Sequence, residues 1–115
     1  MLVKNFVHGK STCLSEKFSE IIDPSTGEQI GQVVLSNDQD LDLAIKSSQK
    51  AFEEWSNFTP LKRARILEKF KNLISENINE LAKIVSKEHG KTIDDAIGSI
   101  TRGIEVIEFA CGIPH

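Results

Sequence analysis

The sequence predicts an α+β chain: a short β hairpin or meander followed by about four helices. Three observations carry this. Residues 1–35 are punctuated by turn signals, His8-Gly9-Lys10 and Pro24-Ser25-Thr26-Gly27, between short apolar runs. From Ser36 onward the apolar period becomes helical. The helical part is then divided by its own stop and start residues at Asn57-Phe58-Thr59-Pro60, Asn77 and Gly90. The expected division is therefore a β arm over 1–35 and a helical layer over 36–115.

In the β arm, Leu2 to Val7 is the first apolar run and His8-Gly9-Lys10 closes it. Phe18 to Ile22 is a second strand candidate and Gln29 to Leu35 a third. Between them Pro24 fixes φ and Gly27 is free to take positive φ, as a tight turn requires. Such a meander or hairpin arm is too small to be stable by itself.

Ser36 or Asn37 is placed to cap the first helix, with Asp38 and Asp40 in its first turn, where the helix dipole favours negative charge. Leu41, Ala44, Ile45, Ser48, Phe52 and Trp55 fall on one face of it. Thr59 caps a second helix with Pro60 at its first position. Ile66, Leu67, Phe70, Leu73 and Ile74 carry that helix. Ile78, Leu81, Ala82 and Val85 carry a third, which ends at Gly90, a residue that adopts the left-handed cap conformation without a Cβ penalty. Lys91 and Thr92 open the fourth, with Asp94 and Asp95 in its first turn.

The fourth helix has two distinct faces. At 100° per residue, Ile93, Ile97, Ile100, Ile104, Ile107 and Cys111 form an apolar stripe. Opposite lie Asp95, Gly98, Ser99, Arg102, Val106 and Phe109. An ordinary surface helix would carry lysines and glutamates there. Two readings stand side by side: a half-buried face whose lone arginine reaches water, or a face that packs against something and lines a site.

Composition excludes several function classes. The formal net charge is −3 and no basic block stands out, so neither nucleic acid nor an anionic membrane is expected as a partner. No apolar run is long enough to span a bilayer, and Met1 leads straight into a strand-like run without a leader pattern. Cys13 and Cys111 lack metal-site or C-x-x-C spacing and read as reduced thiols, which suits a cytoplasmic protein.

The residues offer no catalytic constellation. Gly27-x-x-x-Gly31 lies in a turn and strand, not where a strand meets a helix, so it is not a nucleotide-binding fingerprint. His8, His89 and His115 are scattered, and no metal site is expected. Cys111 and His115 are four residues apart, but Gly112 and Pro114 break the helix that would pair them. Glu53-Glu54 and Asp94-Asp95 are adjacent in sequence and point to different sides of their helices.

The order of segments nevertheless resembles the N-terminal part of the aldehyde dehydrogenase superfamily. The matching pieces are Phe6-Val7-His8-Gly9-Lys10, Asp23-Pro24-Ser25-Thr26-Gly27-Glu28, Ala51-Phe52-Glu53-Glu54-Trp55, Arg65-Ile66-Leu67 and Glu88-x-Gly90-Lys91-Thr92. The piece running from Arg102-Gly103-Ile104-Glu105 to Cys111-Gly112 is more specific. It is similar to the methylmalonate-semialdehyde dehydrogenase branch, whose CoA-acylating members act in valine and inositol breakdown.

That resemblance implies an NAD-dependent oxidation of a carboxyl-bearing aldehyde. A cysteine thiolate attacks the aldehyde, hydride leaves to the nicotinamide, and the thioester passes its acyl group to CoA with loss of CO2. The family's nucleophile, general-base glutamate and dinucleotide-binding units are expected beyond residue 115. Neither Cys13 nor Cys111 sits in the nucleophile's context. The expectation is thus a truncated enzyme, inactive alone, in which the strands and helices flank the NAD-binding sheet. NAD and CoA are implied by the family, and the chain itself is expected to bind neither.

One role carries over. In this branch the arginine of Arg-Gly-Ile-Glu, here Arg102, meets the substrate's carboxylate, against the alternative of a structural ion pair. Expected partners are the chain itself or an intact family subunit. The alternative function is a stand-alone interaction module that binds such a subunit.

Overall fold

The computed structural model describes residues 1–114, as five short strands and four helices in two compact units, Met1–Asn57 and Phe58–His115. The change of period at Ser36 falls inside the first unit.

In the first unit, β1 (Leu2–Val3), β5 (Gln29–Val34) and β4 (Phe18–Ile22) form a mixed sheet in that order. β5 is central, parallel to β1 and antiparallel to β4. β4 and β5 form the hairpin expected around Pro24–Gly27. The Asp23 carbonyl accepts from Gly27 N–H at 2.8 Å, its side chain accepts from Ser25 N–H at 2.8 Å, and Gly27 takes φ 74°.

The expected single run Leu2 to Val7 is two strands. After Lys4 the chain leaves the sheet, and β2 (Asn5–Val7) pairs antiparallel with β3 (Lys10–Thr12). The sequence reading contains no β3, because Lys10-Ser11-Thr12 has little strand character of its own. The turn creates it. His8 at φ 51° and Gly9 at φ 73° are both left-handed, as the two-residue hairpin turn matching strand twist requires. Lys10, read as part of the turn, is the first residue of the returning strand.

Helix α1 (Asp38–Trp55) completes this unit. Asn37 is its cap, and Asn37 and Asp40 form a reciprocal capping box. Asp40 also reaches outside the helix. Its carboxylate accepts from the backbone N–H of Leu14 at 2.8 Å and of Ser15 at 3.1 Å, besides that of Asn37 at 3.1 Å. These bonds fix the roll of α1. Asp40 is buried, Ala44, Ser47 and Trp55 are half-buried, and Leu41, Ile45 and Phe52 from the expected apolar face are exposed.

The second unit packs α2 (Pro60–Glu76) and α3 (Ile78–His89) against α4 (Ile93–Gly112). Thr59 caps α2, its hydroxyl accepting from Lys62 N–H at 3.2 Å, and the Lys62 ammonium lies 3.5 Å from the Phe58 ring centroid. The buried residues of these three helices are small: Ala64, Ala82 and Ala96, one from each. Around Ala82, Ile78, Leu81 and Val85 are half-buried as expected for α3, whereas Ile66, Leu67, Phe70 and Leu73 of α2 are exposed.

Candidate functional site

Two junctions position α4. At its start, Gly90 ends α3 at φ 79° with its N–H on the Ser86 carbonyl at 2.8 Å. Ser86 Oγ then donates to the Lys91 carbonyl at 2.7 Å, and Thr92 caps α4 by accepting from Asp95 N–H at 3.3 Å. The Lys91 ammonium folds over the new helix and donates to Ser99 Oγ at 2.7 Å, while Ser99 Oγ donates to the Asp95 carbonyl at 3.1 Å. The sequence reading placed Lys91 at the helix start without assigning this bond. A lysine and a serine eight residues apart give no local signal.

Towards its end, α4 is held to α2. Cys111 Sγ donates to the Ala64 carbonyl at 3.6 Å, and Lys71 pairs with Glu108 at 3.3 Å. The packed stripe is Ala96, fully buried, with Ile97, Ile100, Ile104, Ile107 and Cys111 half-buried. Ile93, expected at the head of that stripe, is exposed. Ala96 takes the inward place because its methyl group permits close approach of α3.

The opposite face is open. Gly98, Arg102, Val106 and Phe109 are exposed, Val106 at 68% and Phe109 at 78%. Arg102 has no hydrogen bond or ion pair among the described residues, although Glu105 stands one turn further on. The structural ion pair considered for Arg102 is therefore not formed within these residues. A Cβ on Gly98 would meet no atom within 4 Å beyond the adjacent residues and the helix's own backbone.

The other candidates stay apart from this face. Cys13 is half-buried and its thiol donates to the Ser15 carbonyl at 3.0 Å. That bond leads to a backbone carbonyl, which is not a base that could take the thiol proton. The same holds for Cys111, and His115 lies outside the described residues. No group of three or more His, Cys, Asp or Glu side chains that could hold a metal occurs among the described residues. None of their helices is long and apolar enough to cross a membrane.

The model of the aldehyde dehydrogenase family matches residues 11–115. The chain belongs to the aldehyde dehydrogenase family. Among curated aldehyde dehydrogenases, it is 42% identical over 114 residues to malonate-semialdehyde dehydrogenase 2 of Bacillus cereus, covering 98% of this chain and 23% of that protein. It is 39% identical over 111 residues to malonate-semialdehyde dehydrogenase of Pseudomonas aeruginosa, covering 96% and 22%.

Solved aldehyde dehydrogenases agree in fold. A Sinorhizobium meliloti 1021 protein, assigned to methylmalonate-semialdehyde dehydrogenase and solved with NAD, superposes with a TM-score of 0.97 at 46% identity. That match covers 100% of this chain and 24% of the other. Methylmalonate-semialdehyde dehydrogenase from Oceanimonas doudoroffii gives a TM-score of 0.94 at 35% identity, covering 98% and 23%. The fold is thus a portion of the aldehyde dehydrogenase fold, and the chain spans about a quarter of the length of these relatives.

The described residues do not fit the pyrophosphate of NAD. Only α1 directly follows a strand. Its cap is filled by its own Asn37 and its first turn holds Asp38 and Asp40, which repel an anion.

Proposed function

We propose that this chain is the N-terminal portion of an NAD-dependent, CoA-acylating dehydrogenase of malonate or methylmalonate semialdehyde. In that enzyme Arg102 binds the substrate's carboxylate. The observation that carries this reading is the open α4 face, where Arg102 is exposed and has no carboxylate partner among the described residues. A guanidinium fork matches a carboxylate by two parallel hydrogen bonds. The relatives named for carboxyl-bearing aldehydes support the same substrate class.

The 115 residues alone supply recognition and no chemistry, since neither cysteine is activated. By themselves they should give no NADH from either semialdehyde. The decisive experiment joins them to the remainder of the Sinorhizobium meliloti relative and compares Arg102→Leu with the unaltered enzyme. Losing one charge-assisted contact costs about 1.5–3 kcal/mol. Accordingly, kcat/KM on methylmalonate semialdehyde should fall roughly ten- to a hundred-fold, while propanal, which has no carboxylate, is affected much less. An equal fall on both aldehydes would assign the arginine to structure.

A second reading is favoured by the exposed large side chains, among them Leu41, Phe52, Phe70, Val106 and Phe109. Apolar surface of this extent seeks a covering partner. In this reading the chain associates with itself or with an intact dehydrogenase subunit. Light scattering should then show species larger than a monomer. A monomer with a sharp cooperative melt would dismiss it.

A further inference from the structure

We infer that Lys91 is a positioning residue: through its bond to Ser99 it sets the roll of α4, and with it the position from which Arg102 acts. This rests on the reading of Arg102 as the carboxylate's partner.

Lys91 lies between the end of α3 at His89 and the start of α4 at Ile93, and it is held from both sides. Its carbonyl accepts from Ser86 Oγ, near the end of α3, at 2.7 Å. Its ammonium donates to Ser99 Oγ, in the second turn of α4, at 2.7 Å. Both bonds are partly buried. One residue thus ties the end of one helix to the body of the next.

The ammonium passes over nearer charges to reach that hydroxyl. Glu88, Asp94 and Asp95 all lie within four residues of Lys91, yet the one ion pair among the described residues is that of Lys71 with Glu108. A serine hydroxyl stands one bond beyond Cβ, so holding it holds the helix backbone. Ser99 has little reason of its own to be in a helix. Serine is a weaker helix former than alanine, and its bond to the Asp95 carbonyl at 3.1 Å adds nothing to helix stability. That bond uses the hydroxyl proton and leaves the oxygen free to accept from Lys91.

Ser99 and Arg102 are three positions apart on α4, with Cβ atoms about 5–6 Å from each other as for any such helical pair. The helix carries them together, so a roll fixed at Ser99 is fixed at Arg102. The apolar contacts of α4 hold it less sharply, because Ile97, Ile100, Ile104 and Ile107 are only half-buried and such contacts have no direction. The ties to α2 are a surface ion pair at Glu108 and a thiol bond of 3.6 Å at Cys111, both further along the helix. The directional tie nearest Arg102 is that of Lys91.

The test uses the joined enzyme described above. Lys91→Met removes the donor, and Ser99→Ala removes the acceptor while suiting a helix. A misplacement of about 1 Å can cost about a hundred-fold, so each variant should lower kcat/KM on methylmalonate semialdehyde by about ten-fold or more and affect propanal much less. The two losses should not add. Lys91→Arg, which can still donate to the hydroxyl, should recover most of the loss. In an enzyme already carrying Arg102→Leu, Lys91→Met should have no further effect. Equal losses on both aldehydes, no loss, or a loss that persists beside Arg102→Leu would overturn the inference, while a selective effect of Arg102→Leu alone would still uphold the carboxylate reading. If Arg102→Leu is itself unselective, that reading falls and the role of Lys91 falls with it. Should Lys91→Met not fold, the Ser99→Ala comparison decides.

Discussion

Each of the two units is held together internally by a different means. In Met1–Asn57 the tie between helix and strands is polar: the Asp40 carboxylate grips two loop amides of residues 14 and 15 as well as its own cap. In Phe58–His115 the helices meet at small apolar residues, Ala64, Ala82 and Ala96. The first arrangement fixes direction, because a carboxylate accepts along defined lines. The second fixes distance, because an alanine leaves no side chain to hold helices apart. Among the described residues neither encloses a large side chain completely, and much of the larger apolar surface in each unit is exposed.

This contrast can be broken by perturbing each tie in turn. The largest effect is expected from Ala96→Leu, at a site with 0% exposure. Overpacking a tight interior costs about 1–3 kcal/mol. Denaturant melts should show the loss, and amide exchange should accelerate in residues 58–114 while the β5 amides keep their protection. Uniform acceleration in both units would contradict the contrast.

Gly31→Ala should come next. A Cβ there would stand 2.7 Å from the backbone oxygen of Met1, which accepts from Gln32 N–H at 2.9 Å. Backbone cannot yield as a flexible side chain can, so β1 must peel from β5. Loss of that hydrogen bond is worth on the order of 1 kcal/mol. It should appear as faster exchange at Gln32, with the β4–β5 hairpin unaffected.

Acid sharpens the same comparison. The Leu14 N–H, together with those of Asn37 and Ser15, holds the Asp40 carboxyl below its ordinary value of 3.8, against the opposing effect of burial. These bonds favour the charged form. A lowered folded value means that the clasp contributes its full stability above the ordinary value and loses it as pH falls through the folded one. Exchange protection at Leu14 and Ser15 should therefore persist down to the ordinary value of 3.8 and fail only below it, as pH falls through the lowered folded value, and Asp40→Asn should remove that acid dependence. Protection that persists unchanged to lower pH would show that the carboxylate does not hold the loop.

The smallest effect is expected at the surface of the helical unit. Lys71 and Glu108 pair at 3.3 Å with side chains 20% and 67% exposed. Such pairs contribute about 0.2–1 kcal/mol and are screened by salt. Lys71→Ala should shift the melt slightly at low salt and still less at high salt. A large shift would move the weight of this unit from its alanines to its surface charges.

What the sequence by itself determined is mostly local. The caps at Asn37, Thr59 and Thr92, the left-handed Gly90 and the turn at Pro24–Gly27 depend on bonds within a few residues, and all occur where the residue types point. The family was legible too, because Glu88-x-Gly90-Lys91-Thr92 and the Arg102 segment are contiguous patterns. The isolated arginine face of α4 was visible as a periodicity, with its two readings open. Only the tertiary structure decided which readings hold wherever partners lie far apart in sequence. Strand β3 exists because His8 and Gly9 fold it back on β2, and β1 joins β5 in parallel across the intervening hairpin. The roll of α1 follows Asp40, a residue read as a first-turn charge, and not the apolar stripe of Leu41, Ile45 and Phe52. Hydrophobic periodicity states that a helix has a side to bury. It does not weigh that side against a carboxylate offered two backbone amides more than twenty residues away.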